Sequence, residues 1–452
     1  MEEHTTQILS IYNSNTRIIN ISNRNIKGKL DLGLFNKLKV LNCSNNEITF
    51  INNIPYTLKK LNCKNNKIEY LLHLPYDLEE LNCSKNPIKE LYYPFNVLPK
   101  RFPRGLTNLV LGVKFNQPLI NLPSTLKRIT FGSYSKFNQS IDMLPDSIEF
   151  IKIDSDCRFN QPINKLPNSL THLIIYNDFN QSINNFPDSL IHFNTGDKFN
   201  QLLDNLNPKG CSKNSTNGCC SCCPNSLTYL ELGNSFNQPI SFLPNNITHL
   251  ITREDFCQPV DNLPNSLVFL ELGESFNLQI DNLPSSLKDL VLRGIFNQSV
   301  DNLPQSLNSL TFYADFNQPI DNLPKTLTRL RLGKSFNQPV KFLPNSLIYL
   351  SFGDDFNQSV DFLPNSIKEL SFYFSFNQSI DNLPNSITHL TLSFEFNQPI
   401  NNLPLSLTHL TLGYRFKENI SNLPPNIVEI KNSKNIKNLK ELKERYPQVI
   451  FN

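Results

Sequence analysis

From Phe236 to Phe416 a phenylalanine stands at every twentieth residue, ten in all, and most open the run Phe-Asn-Gln-Pro/Ser-Ile/Val followed by Asp/Asn-Asn-Leu-Pro. Self-similarity at one fixed period marks a chain built from stacked supersecondary units. Upstream the same phenylalanine recurs as Phe115, Phe137, Phe159, Phe179 and Phe199, at spacings of 22, 22, 20 and 20. A single coil of this length cannot bury its own leucines, so the core must form between neighbouring coils and the ends need caps. Composition closes off the alternatives: Ala314 is the only alanine, and 31 Pro stand against 14 Gly, which excludes a helical bundle and argues against a glycine-loop nucleotide fold.

The amino-terminal section shares the frame in a different dress. Leu38-x-x-Leu41-x-Cys43-x-x-Asn46-x-Ile48 recurs as Leu58, Leu61, Cys63, Asn66, Ile68 and again as Leu78, Leu81, Cys83, Asn86, Ile88. This is the leucine-rich-repeat signature. Later coils keep its first half, since Leu227-x-x-Leu230-x-Leu232 begins three residues after Pro224 as Leu58 begins three after Pro55. On that frame the strand is expected to be retained while the Asn-x-Ile return gives way to Phe-Asn-Gln-Pro-Ile.

The block from about residue 104 to 430 resembles the FNIP-repeat family of giant DNA viruses and social amoebae, through cores such as Phe236-Asn237-Gln238-Pro239. The first coils resemble the twenty-residue bacterial-type leucine-rich repeats. The resemblance implies a solenoid, and in many family members an amino-terminal F-box linked to ubiquitin-ligase assembly. About fifteen residues precede the first coil here, fewer than a helical F-box needs.

The expected fold is mainly β, a parallel, leucine-rich-repeat-like solenoid of about 20 residues per coil with a carboxy-terminal capping helix. Residues 1–16 are read as an amino-terminal cap, 17–103 as leucine-rich repeats, 104–430 as FNIP repeats and 431–452 as the second cap. In Ile387-Thr388-His389-Leu390-Thr391-Leu392 the leucines face one side and His389 and Thr391 the other, the alternation of a strand buried on one face. Proline before each strand, as at Pro324 and Pro344, sets a corner without losing a ladder N–H. The phenylalanines should form a buried spine, and the asparagine after each should satisfy turn backbone between coils. Apolar residues at 436, 439, 442 and 446, ahead of Pro447, predict a helix over 435–446, followed by a terminal strand at Val449-Ile450-Phe451.

Charge is balanced, 42 basic against 39 acidic residues, which supplies no phosphate-neutralising stripe for nucleic acid. No stretch reads as a membrane span or export signal. Asn-x-Ser/Thr sequons at Asn138, Asn180, Asn297, Asn357 and Asn377 lie inside the repeat, where glycans would block coil packing, so a cytoplasmic protein, in the host cytoplasm if viral, is expected. Cys43, Cys63 and Cys83 occupy one strand position and read as small buried hydrophobes. Cys211, Cys219, Cys220, Cys222 and Cys223 crowd into an insertion, 207–223, and are read as a metal site, as oxidation-sensitive thiols or as a tolerated loop.

Function is expected on the outward strand positions, which vary without disturbing the core. Before the second leucine these include Arg128, Phe150, His172, His192, Tyr229, His249, Phe269, Arg329, Tyr349, His389 and His409; two sites on come Glu231, Ile251, Glu271 and Arg331, giving a face of mixed charge with exposed aromatic and aliphatic groups. Such a mixture suits protein recognition. The expected function is a non-enzymatic scaffold that binds a partner protein on its concave strand face through Arg329, Arg331, Tyr349, Tyr229, His249 and Phe269, without cofactor. The alternatives are a substrate-receptor-like subunit reaching a ubiquitin ligase through another adaptor, and a structural particle component. The histidines are not expected to bind metal, because no carboxylate or cysteine at a matching site is seen to complete a ligand set. No nucleophile elbow, P-loop or zinc-protease helix is present.

Overall fold

Each coil contributes a run of three or four alternating residues, joined in the early coils by a second, return run, and in the computed structural model these runs become short strands paired in parallel. The structure describes residues 8–452 apart from 76–77, 79, 89, 94–101, 103–104, 177, 184, 204–205 and 207–225. The chain divides into two compact units, Met1–Asn234 and Ser235–Asn452.

In the first unit, Ile18–Asn20, Val40–Asn42, Lys60–Asn62 and Glu80–Asn82 pair in order along one side. The return runs also pair: Lys27–Asp31 lies beside Glu47–Asn52, with a register shift at Gly28, whose φ of 78° is the left-handed conformation that glycine adopts without strain. Cys43, Cys63 and Cys83 are fully buried at 0% exposure. Burial pushes the Cys43 and Cys83 thiols up to about 12, and lifts Cys63 well above the usual range with its two cysteine neighbours adding to the effect.

The expected continuity of the strand across the two repeat types is corrected. The first strand of the phenylalanine block, Asn108–Leu111, pairs with the return run Glu90–Tyr93, which itself pairs with Tyr70–Leu71. Leu109 follows Leu81 by 28 residues but Leu91 by only 18, so a coil of about twenty brings it beside Leu91. From there Arg128–Phe131, Phe150–Ile153, His172–Ile175, His192–Asn194 and Tyr229–Glu231 follow in order.

In the second unit strands run from His249–Ile251 to Glu429–Lys431 without a slip, so that Leu310, Leu330, Leu350 and Leu370 stand in register. Inside lies the phenylalanine spine. Phe316, Phe336 and Phe356 stack with centroids 6.1 Å apart, as do Phe115, Phe137, Phe159 and Phe179 at 5.6–5.9 Å in the first unit, and all are at most 1% exposed. Strand phenylalanines such as Phe352 and Phe372 pack on it at 3.7 and 3.8 Å. Beside the spine runs an asparagine ladder: Asn317 donates its backbone N–H to Asn297 Oδ1 at 2.9 Å, Asn337 to Asn317 at 2.9 Å and Asn357 to Asn337 at 3.0 Å. At the described proline corners the leucine or isoleucine three residues on donates to the proline carbonyl, as Leu327 does to Pro324 at 3.1 Å and Ile387 to Pro384 at 3.2 Å.

The carboxy-terminal helix spans Leu439–Arg445, shorter than the expected 435–446. Asn438 is held away from helical geometry because its side chain exchanges two 3.0 Å hydrogen bonds with the Ile420 backbone, and Ser433–Asn435 forms a 3-10 turn instead. The expected terminal strand is present as Ile450–Phe451, paired with Glu429–Lys431.

Candidate functional site

In-register stacking places every outward side chain about 4.8 Å from its equivalents on neighbouring strands, so side chains at one position form continuous rows. In the first unit the row is a π-stack. The Arg128 guanidinium lies 3.7 Å over Phe150; Phe150 and His172 follow at 5.9 Å, His172 and His192 at 5.6 Å, and His192 and Tyr229 at 4.1 Å. Thr171 Oγ1 lies 2.8 Å from the Glu149 carbonyl and 2.9 Å from His172 Nδ1, within hydrogen-bond distance of both. Burial holds the His172 imidazole below its ordinary value, and Arg128 lowers it further. His192 is lowered by burial and then by His172, against an opposing pull from Glu231.

In the second unit the row runs His249, Phe269, Asp289, Ser309, Arg329, Tyr349, Glu369, His389, His409 and Glu429. His249 and Phe269 stack at 5.7 Å, and Arg329 lies 4.5 Å over Tyr349. Arg331, two residues along the same strand, lies 5.3 Å from Tyr313 and 5.9 Å from Tyr373. Of the six residues expected to bind a partner, the structure joins Arg329, Arg331 and Tyr349 in one cluster and His249 with Phe269 in another, with the strands of Asp289 and Ser309 between. Tyr229 belongs to the first unit's row. Cys211, Cys219, Cys220, Cys222 and Cys223 lie outside the described residues.

Two expectations about this face change. Ile251, read as exposed, is 8% exposed, and Glu271 on the next strand is also 8% exposed. Glu271 is enclosed because Arg293 Nε and Arg253 Nη1 approach its Oε1 at 2.6 and 3.4 Å from the flanking coils. The histidine pair does have carboxylates in its row, since Glu369 is in register with His389 and Glu429 with His409. Among the described residues, no three His, Cys, Asp or Glu side chains converge on one metal position. The sequence reading also passed over Tyr313, Tyr373, Phe374, Phe394 and Tyr414, which follow the strands and are 37–68% exposed. Phe374, Phe394 and Tyr414 stack at 5.2 Å intervals. The signal for Tyr313 and Tyr373 was an aromatic residue where other coils carry glycine, as at Gly333 and Gly353, and for Phe374, Phe394 and Tyr414 an aromatic run one position on, where Lys334 and Asp354 stand in other coils.

Comparison with known proteins follows the repeat. A family model described as FNIP Repeat matches residues 94–134, 137–178, 159–192, 221–252, 257–293, 296–335, 336–375, 376–414 and 396–431. No curated protein matches the chain. Among solved structures it is similar to CroV588, a circular LRR protein, at 31% identity over 92% of this chain and 76% of that one, with a TM-score of 0.47. It is similar to YopM from Yersinia enterocolitica at 20% identity, over 95% and 87% of the two chains, with a TM-score of 0.44.

Proposed function

The chain belongs to the FNIP-repeat family, and from that premise we propose that it is a non-enzymatic scaffold that binds a partner protein on its outward strand face, centred on Arg329, Arg331 and Tyr349. Leucine-rich-repeat-like solenoids are typical of protein-interaction scaffolds, because outward strand residues vary freely over a conserved core pattern. The observation that carries the reading is a cluster in which Arg329 lies over Tyr349 and Arg331 between Tyr313 and Tyr373, with both arginines exposed. Arginine and tyrosine are the residues that dominate binding energy at protein interfaces.

Affinity capture tests this. Proteins retained by the chain should be lost from a variant carrying Arg329→Glu with Arg331→Glu, while Lys440→Glu on the terminal helix leaves capture intact and both variants keep the parent circular dichroism. The same proteins captured by the double variant would remove the proposed centre.

A further inference from the structure

We propose that Arg329 and Arg331 receive two carboxylates from an extended acidic segment of the partner, an inference that rests on the scaffold reading above. The arginines on or beside these strands differ in what neutralises them. Arg253 and Arg293 share Glu271, and Arg415 pairs with Glu395 at 2.9 Å. Arg329 and Arg331 have no carboxylate within ion-pair distance and no side-chain hydrogen bond among the described residues, and both are exposed.

They are nevertheless held. Arg329 rests on Tyr349 at 4.5 Å, and Arg331 lies between Tyr313 and Tyr373, with Tyr313 also carrying the Arg293 guanidinium at 4.6 Å. Contact with an aromatic face holds a guanidinium without consuming its N–H donors, which stay available for a bidentate acceptor. At the two coils between Tyr313 and Tyr373 the equivalent residues are Gly333 and Gly353. A Cβ on Gly333 would fall 2.7 Å from the Tyr313 backbone, and one on Gly353 would fall 2.0 Å from the Gly333 carbonyl. The slot around Arg331 therefore has aromatic walls and a bare backbone floor.

Spacing and sign select the occupant. Arg329 and Arg331 are alternate residues of one strand, so their Cα atoms lie about 6.8 Å apart, the same interval that separates alternate side chains on an extended peptide. Asp289 and Glu369 occupy the same row two strands away on either side, about 9.6 Å off, and bound the cationic stretch. An extended segment with glutamate or aspartate at alternate positions matches both features.

The test is fluorescence anisotropy of the full chain with a labelled extended peptide bearing glutamate at alternate positions, beside its glutamine and phosphoserine analogues. The glutamate peptide should bind, more weakly as salt rises. Its glutamine analogue should bind at least about tenfold more weakly, and Arg329→Gln and Arg331→Gln should each cost about tenfold. Arg331→Lys should weaken binding as well, since it keeps the charge and loses the fork. Equal binding of the glutamate and glutamine peptides, unchanged affinity in the double glutamine variant, or binding of the phosphoserine peptide alone would each overturn the assignment. If the acidic peptide fails while Arg329→Glu with Arg331→Glu still abolishes partner capture, this inference falls and the scaffold reading stands; unchanged capture removes both.

Discussion

The coils around Cys43, Cys63 and Cys83 and the coils around the phenylalanine spine solve one problem in two ways. Both must satisfy backbone groups in the turn after the strand, where the sheet ladder ends. In the first kind the amide goes inside: Asn66 is 7% exposed, donates to the Cys43 and Cys63 carbonyls at 3.0 Å and accepts from the Ile48 N–H at 3.0 Å. In the second the interior is given to phenylalanine and the amide moves to the half-buried rim, where Asn297 accepts from the Asn317 N–H at 2.9 Å and from Gln318 Nε2 at 3.2 Å. A buried amide goes with a small strand neighbour such as cysteine, whereas a phenylalanine stack goes with leucine or phenylalanine there. The two interiors are alternative ways of filling a coil of the same length.

The comparison breaks most visibly if Phe336→Ala is mild. Removing a ring from the middle of the stack should cost about 4 kcal/mol in urea denaturation, the range for emptying a large buried site. A loss below about 1 kcal/mol would mean that the spine does not fill the core. Next comes Asn66→Ala, expected to cost about 2 kcal/mol, because the Ile48 N–H loses its side-chain acceptor in a buried place while the Cys43 and Cys63 carbonyls each lose one of two amide donors and keep Asn46 and Asn86. Asn297→Ala, whose partners lie at the rim, should cost about 1 kcal/mol. Equal losses at Asn66 and Asn297 would erase the distinction between an inner and an outer amide.

The smallest effect concerns the outward row. The early coils place an exposed ion pair, Lys60 with Glu80 at 2.6 Å, before the second leucine of each coil, and His172 and His192 hold the equivalent sequence position on the sheet that continues the return runs. Both histidines are held below their ordinary value in the fold, so the unfolded chain binds more protons between that lowered range and about pH 6.5. Stability therefore rises with pH through this window and is lost on acidification. Hydrogen exchange at His172–Ile175 should quicken from about pH 7.5 to about pH 5.5 relative to Lys60–Asn62, and His172→Gln with His192→Gln should flatten the difference. A dependence that survives the double variant would place its cause elsewhere.

The recurring features were legible because repetition multiplies a weak signal: one Leu-x-x-Leu means little, but the spacing of Phe236 to Phe416 leaves the inward positions no freedom. The seam between the repeat types was not. Pro-x-x-Leu-x-x-Leu reads alike on both sides of it, and only the length of chain between Leu81 and Leu109 decides which edge the next strand joins. The outward face divided similarly. Alternation identified Arg329, Arg331 and Tyr349 as surface residues, yet Glu271 and Ile251 obey the same alternation and are buried.

The sequence by itself determined the period, the inward leucines, the phenylalanine spine and the amide ladder, because each depends on spacing along the chain. Tertiary structure alone decided which strand edge the phenylalanine coils extend, which arginines are neutralised and which remain open. Those outcomes depend on contacts between residues eighteen to twenty-two positions apart, such as Arg253 and Arg293 with Glu271, whose side chains meet only when successive coils stack in register.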